Sequence, residues 1–183
     1  MTNEFYPPII QVDNSGNIVK PISFQEAHSN ALRHITINLF VFGAQDYKRI
    51  LLQKRGKKTF RGEGKLDMSA GGHMHYLFDR EGKLITPEET GYNILEKELF
   101  FNQKLPETLK LEQICTFSRD FEPDLEFTYL LGGVYPGPFS PNPEEVFEIN
   151  FQDFDFVADD IKKQPEKYTR QFNLCIDAYL QHA

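Results

Sequence analysis

The sequence predicts an α/β fold of the α+β kind, a mixed central sheet sandwiched between helices. Three observations predict it. β-branched and aromatic runs such as HITINLFVF and LEFTYLLGGVY crowd the middle of the chain. A strongly signalled amphipathic helix interrupts them, and two more helical stretches close the sequence. Strands and helices do not alternate regularly, which excludes a βαβ repeat.

From the N-terminal side, IIQV and NIVKPI read as strands joined by Asp-Asn-Ser-Gly, where Gly16 supplies the positive φ of a tight turn. Ser23 stands three residues before Glu26, the spacing of a helix cap, so a short helix carrying Ala27 and His28 is expected there. HITINLFVF and RILLQK follow as paired strands, separated by the polar break GAQDYK. In LDMSAGGH the glycine pair marks a place where backbone passes close to a neighbour. Thr86-Pro87-Glu88-Glu89 combines a capping threonine, a proline at the first helical position and a glutamate three residues on, predicting a helix over about 87–102. Tyr92, Leu95 and Leu99 form its apolar stripe, with Glu98 at the margin. Further strands are expected at LEQICTF, LEFTYLLGGVY and EVFEINF, and helices at FVADDIKK and TRQFNLCIDAYLQ.

At 183 residues and 40% hydrophobic composition, the chain suits a single domain with a full core. Its formal charge of −7 is dispersed, and no long basic run suggests a groove for long nucleic acid. One basic segment, KRGKKTFRGEGK, suits a small polyanion. The two cysteines, Cys115 and Cys175, lack metal-knuckle spacing and fit a reducing cytoplasm. No leader pattern and no membrane-length apolar run is evident, so a cytoplasmic, soluble protein is expected.

The order of LLQKR, loop, DMSAGGH, acidic helix and DLEFTYLL resembles the Nudix superfamily, specifically its branch near isopentenyl-diphosphate isomerase. The resemblance spans about residues 12–156 and implies a Nudix-type α/β/α sandwich. Placing Lys97-Glu98-Leu99 on the Arg-Glu-apolar core of the Nudix box puts Glu89 at its first glutamate and Gly72 at its first glycine, with an insertion between them. The back half departs from the pattern: Phe101 and Asn102 stand where the family has paired glutamates, and Lys104 replaces the last glycine. Of the box carboxylates that converge on hard cations, only Glu98 remains.

The isomerase branch implies a second metal site of three histidines and two carboxylates, for which this sequence offers His28, His34, His73, Asp124 and Glu126. Asp124 and Glu126, two apart on a strand, share a face. The two carboxylates are expected to repel one another when no cation compensates them. Imidazole and carboxylate donors suit a divalent metal: manganese, zinc or iron fit better than magnesium alone. Arg55 and Lys58 match residues that hold the diphosphate, and the isomerase's catalytic cysteine corresponds to Gly71. Each residue also has a plain structural reading. The histidines suit a polar pocket without an ion, Glu98 a lysine-paired helix carboxylate, Glu89 a cap, and Arg55 and Lys58 a solvated loop.

The resemblance therefore implies a metal-dependent Nudix-type hydrolase acting on a small diphosphate-containing substrate, with Glu98 and Glu126 as catalytic carboxylates. Hydrolysis is preferred to isomerisation because Gly71 has no proton to give. Two alternatives stay open: a catalytically impaired Nudix-fold binding protein for a nucleotide or diphosphate, and an isopentenyl-diphosphate isomerase-like enzyme.

Overall fold

The computed structural model describes residues 7–56, 62–122 and 124–182. Its strands are β1 (Ile9–Val12), β2 (Ile18–Ile22), β3 (His34–Phe42), β4 (Arg49–Arg55), β5 (Leu66–Asp67), β6 (Ala70–His73), β7 (Glu112–Phe121), β8 (Asp124–Val134) and β9 (Val146–Asp153). The helices are α1 (Phe24–Ser29), α2 (Pro87–Glu98), α3 (Phe154–Lys163) and α4 (Arg170–His182).

The first hairpin turns as its residues dictate. Asp13 accepts from the backbone amides of Ser15 at 2.8 Å and Asn17 at 2.9 Å, and Gly16 takes φ +83°. Both capping signals are realised: Ser23 accepts from the Glu26 amide at 3.0 Å, and Thr86 and Glu89 exchange reciprocal bonds. Glu89 is thus engaged as a cap. The short strands β5 and β6 around the glycine pair were not among the expected elements.

β3 organises the sheet. β8 runs parallel to it from His34↔Glu126 to Phe42↔Val134, while β6 is antiparallel to it from Thr36↔His73 to Leu39↔Ala70. β7 lies antiparallel outside β8, and β9 antiparallel to β4. All nine residues of β3 are buried, so its alternation separates two cores instead of core from solvent. Ile35, Ile37, Leu39 and Val41 pack with Ile94 and Leu95 of α2 and with its C-cap Leu99. Phe40 and Phe42 pack with Val157 and Ile161 of α3 and Phe172 and Ile176 of α4. His34, Thr36 and Asn38 continue that second face toward one end of the sheet, where the apolar core gives way to buried polar groups.

α2 ends earlier than expected, at Glu98, with Leu99 as its C-cap. The reason is tertiary. The segment after β8 lies against the helix end: the Ser140 amide donates to the Leu99 carbonyl and the Asn142 amide to the Glu98 carbonyl, each at 2.8 Å. These donors take carbonyls that the helix would otherwise satisfy by continuing. Asn102 has φ +60° in the following turn, and Phe101 is 39% exposed.

Candidate functional site

Three histidines from three elements converge at the polar end of β3. His28 comes from α1, His34 opens β3 and His73 closes β6. One ring nitrogen of each lies within 4.8 Å of the others. The His28 and His73 Nε2 atoms are 3.3 Å apart, and the His34 and His73 rings stack with centroids at 5.1 Å. Phe24 closes one side, its ring 4.3 Å from His28 and 5.1 Å from His73.

Hydrogen bonds orient two of the rings. His28 donates from Nδ1 to Asp124 Oδ1 at 2.8 Å, and His34 donates from Nδ1 to the Leu32 carbonyl at 2.8 Å. In a neutral ring each bond places the lone pair on Nε2, the arrangement by which carboxylates and carbonyls present imidazoles to metals. His34 is fully buried, and its Nε2 has no hydrogen-bond partner among the described residues. Burial pushes the His34 pKa down to about 4, and burial together with the neighbouring imidazoles pushes His73 well below its ordinary value. Neutral imidazoles are the metal-binding form. The orphaned buried nitrogen of His34, with the rings of His28 and His73 beside it, fits a divalent cation of the zinc type, whose nitrogen ligands lie about 2.0–2.1 Å from the ion.

Asp124 and Glu126 are buried beside this cluster. They do not face each other uncompensated. Arg119 of β7 reaches both, with Nη2 3.2 Å from Asp124 Oδ2 and Nη1 3.3 Å from Glu126 Oε1. The expected repulsion is therefore offset within the protein itself. Thr36 donates to Glu126 Oε2 at 3.4 Å, and Gln171 of α4 accepts from Arg119 Nη1 at 3.1 Å. Arg119 is the residue that the sequence reading missed. No local signal marks it: its role follows from the pairing of β7 with β8, whose register sets Arg119 opposite Glu126.

Glu98 sits outside the histidine group. It is buried, accepts from Gln53 Nε2 at 3.2 Å, and has its pKa raised to about 8 by burial and then by the charge of Glu145. Glu145 in turn pairs with Lys97 at 2.7 Å. Arg55 donates to Asp67 at 2.8 Å, and Asp67 also accepts from Thr169 at 2.6 Å, tying β4 to the start of α4. Lys58 lies outside the described residues. At Gly71 a side chain would begin 2.8 Å from Asn38 Oδ1, so the Asn38 amide takes up that space. Asn38 donates in turn to the buried Cys175 thiol at 3.4 Å. No described helix is long and apolar enough to cross a membrane.

No protein-family profile matches the chain. By sequence it is similar to the isopentenyl-diphosphate Delta-isomerase of Serratia proteamaculans, 26% identical over 90% of this chain and 86% of that protein. A second isomerase, from Aromatoleum aromaticum, is 23% identical over 92% and 84%. Among solved structures it resembles DR0079 of Deinococcus radiodurans, with TM-score 0.71 and 17% identity over 93% of this chain and 97% of that one. A Nudix hydrolase of Alicyclobacillus acidocaldarius matches at TM-score 0.58 and 11% identity, covering 80% and 90%. The dihydroneopterin triphosphate pyrophosphohydrolase of E. coli matches at TM-score 0.55 and 15% identity, covering 81% and 96%. With a mixed sheet between α2 on one face and α3 and α4 on the other, the chain is a Nudix-fold protein whose sequence is similar to the isopentenyl-diphosphate isomerases.

Proposed function

We propose that the chain is a metal-dependent Nudix-type enzyme that hydrolyses a small diphosphate-containing molecule at the histidine centre. The convergence of His28, His34 and His73, with His34 Nε2 buried and without a hydrogen-bond partner among the described residues, carries this reading. The box helix supports it less: α2 stops at Glu98, and Phe101 and Asn102 fall in the turn beyond.

The histidines would hold the ion through nitrogen. When bound, a divalent ion there supplies Lewis-acid polarisation of a phosphoryl oxygen and acidifies bound water. Asp124 orients His28, Phe24 shields the cluster, and Arg119 holds Asp124 and Glu126 in fixed positions. Arg55, oriented by Asp67, offers a guanidinium for phosphate oxygens. Glu98, outside the histidine group, is neutral at pH 7 with a pKa about 8 and would serve as a proton donor only to a substrate that spans both places.

A second reading, an isomerase-like enzyme, is favoured by the similarity to isomerases over most of the chain. Gly71 and the Asn38 amide beside it weigh against it. One experiment separates the readings. Purified protein is incubated with isopentenyl diphosphate, nucleoside diphosphate derivatives and dinucleotides, with zinc, manganese or magnesium, and products are followed by phosphorus and proton NMR. Metal-dependent cleavage of a diphosphate bond supports hydrolysis, and dimethylallyl diphosphate formation overturns it in favour of isomerisation. Saturable binding without turnover would make the chain a binding protein.

A further inference from the structure

All four carboxylate oxygens beside the histidine cluster have a donor. Asp124 Oδ1 accepts from His28, and Asp124 Oδ2 from Arg119 Nη2. Glu126 Oε1 accepts from Arg119 Nη1, and Glu126 Oε2 from the Thr36 hydroxyl. Arg119 is itself held from a third side by Gln171, and its side chain is only 13% exposed. The guanidinium is thus built into the wall between β7, β8 and α4 and always charged.

We propose that Arg119 keeps Asp124 and Glu126 out of the inner coordination sphere, so that the centre takes its cation through three imidazoles and selects a zinc-like ion over magnesium and manganese. The inference rests on the metal-binding reading of the histidines. For either carboxylate to ligate an ion, it would have to give up a charge-assisted bond and bring the dication toward a fixed guanidinium. With Arg119 in place the carboxylates and guanidinium sum to a single negative charge, which weakens attraction for hard cations that depend on anionic oxygen. Imidazole donors suit zinc, cobalt, nickel and copper, whereas magnesium and manganese favour carboxylate and water. Asp124 then acts through His28, and Arg119 is a positioning residue.

Cobalt(II), a spectroscopic stand-in for zinc, tests this on the full chain. The parent is expected to take up one equivalent with the intense visible bands of a four-coordinate ion, and magnesium should not displace it. Arg119→Gln frees the carboxylates, so the bands should weaken to the six-coordinate form and manganese affinity should rise about tenfold or more. Glu126→Gln in the otherwise native chain should change cobalt affinity by less than about threefold, whereas loss of a true ligand or its orienting partner costs about 10–100-fold or more. This arm and the parent spectrum decide the matter if Arg119→Gln does not fold. Six-coordinate bands in the parent, or a large loss in Glu126→Gln, overturn the role of Arg119 while leaving metal binding intact. No uptake of cobalt or zinc by the parent overturns the metal reading itself, and the inference with it.

Discussion

His28 and His73 meet nitrogen to nitrogen, their Nε2 atoms 3.3 Å apart although 45 residues separate them in sequence. The Nδ1 of His28 is engaged by Asp124, so its Nε2 is the ring nitrogen turned to its neighbour. A buried approach of this kind is favourable when a proton or a cation lies between the rings, and protonation is opposed by burial.

That opposition predicts an acid-labile fold. A histidine whose folded pKa lies near 4, against about 6.5 unfolded, binds fewer protons folded than unfolded between those values. Its stabilising contribution is complete above about pH 6.5 and is lost as pH falls toward 4, by about 3 kcal/mol for His34. Denaturant unfolding at pH 5 and pH 7 should show the loss, and His34→Gln should reduce it. A slope unchanged by that substitution would place the titrating group elsewhere.

Glu98 predicts the opposite sign at higher pH. Its folded pKa, raised from 4.5 to about 8, means that the folded chain binds more protons than the unfolded chain between those values. Stability should therefore fall as pH rises through this window. Glu98→Gln keeps a group able to accept from Gln53 and removes the buried charge, so it should stabilise the protein at pH 8 by on the order of 4 kcal/mol. Because this slope opposes the histidine slope, the pH 5 comparison is best made in the Glu98→Gln background. Metal uptake at the histidines should be unchanged by it, while turnover should drop if Glu98 donates a proton.

Gly91 sits where α2 presses on the sheet. A Cβ there would lie 2.9 Å from Leu111 Cδ1 and 3.0 Å from Leu131 Cδ1, with Leu39 Cδ2 at 3.3 Å. Helix propensity favours alanine by about 1 kcal/mol, but overpacking a buried contact costs typically about 1–3 kcal/mol. Gly91→Ala is expected to lower the melting temperature, and a rise would show that α2 can lift from the sheet at little cost.

Gly71→Cys should not confer isomerisation. Its side chain would start 2.8 Å from Asn38 Oδ1 and 3.3 Å from Met68 Sδ, within a buried cluster. The expected outcome is a destabilisation of about 1–3 kcal/mol that Asn38→Ser partly relieves, measured as a double-mutant cycle. Isopentenyl diphosphate conversion by the parent at a robust rate, followed by NMR, would mean that another group supplies the proton.

What the sequence determined by itself is what neighbouring residues decide. Thr86 and Glu89 close their own capping box, Asp13 and Gly16 turn their own hairpin, and the β-branched run of β3 can only be a strand. The resemblance added the three histidines as a set, and the fold brings their rings together. Tertiary structure decided the rest, because the partners come from distant segments. Residues 140 and 142 stop α2 at Glu98 by taking its last carbonyls, which no local signal at Phe101 or Asn102 announces. Glu145, from the strand entry before β9, turns Glu98 into a neutral acid by adding its charge to the effect of burial. Arg119 compensates Asp124 and Glu126 only because the register of β7 and β8 puts its guanidinium between them. A charge's surroundings depend on which strands lie beside it, and that is a property of the folded sheet.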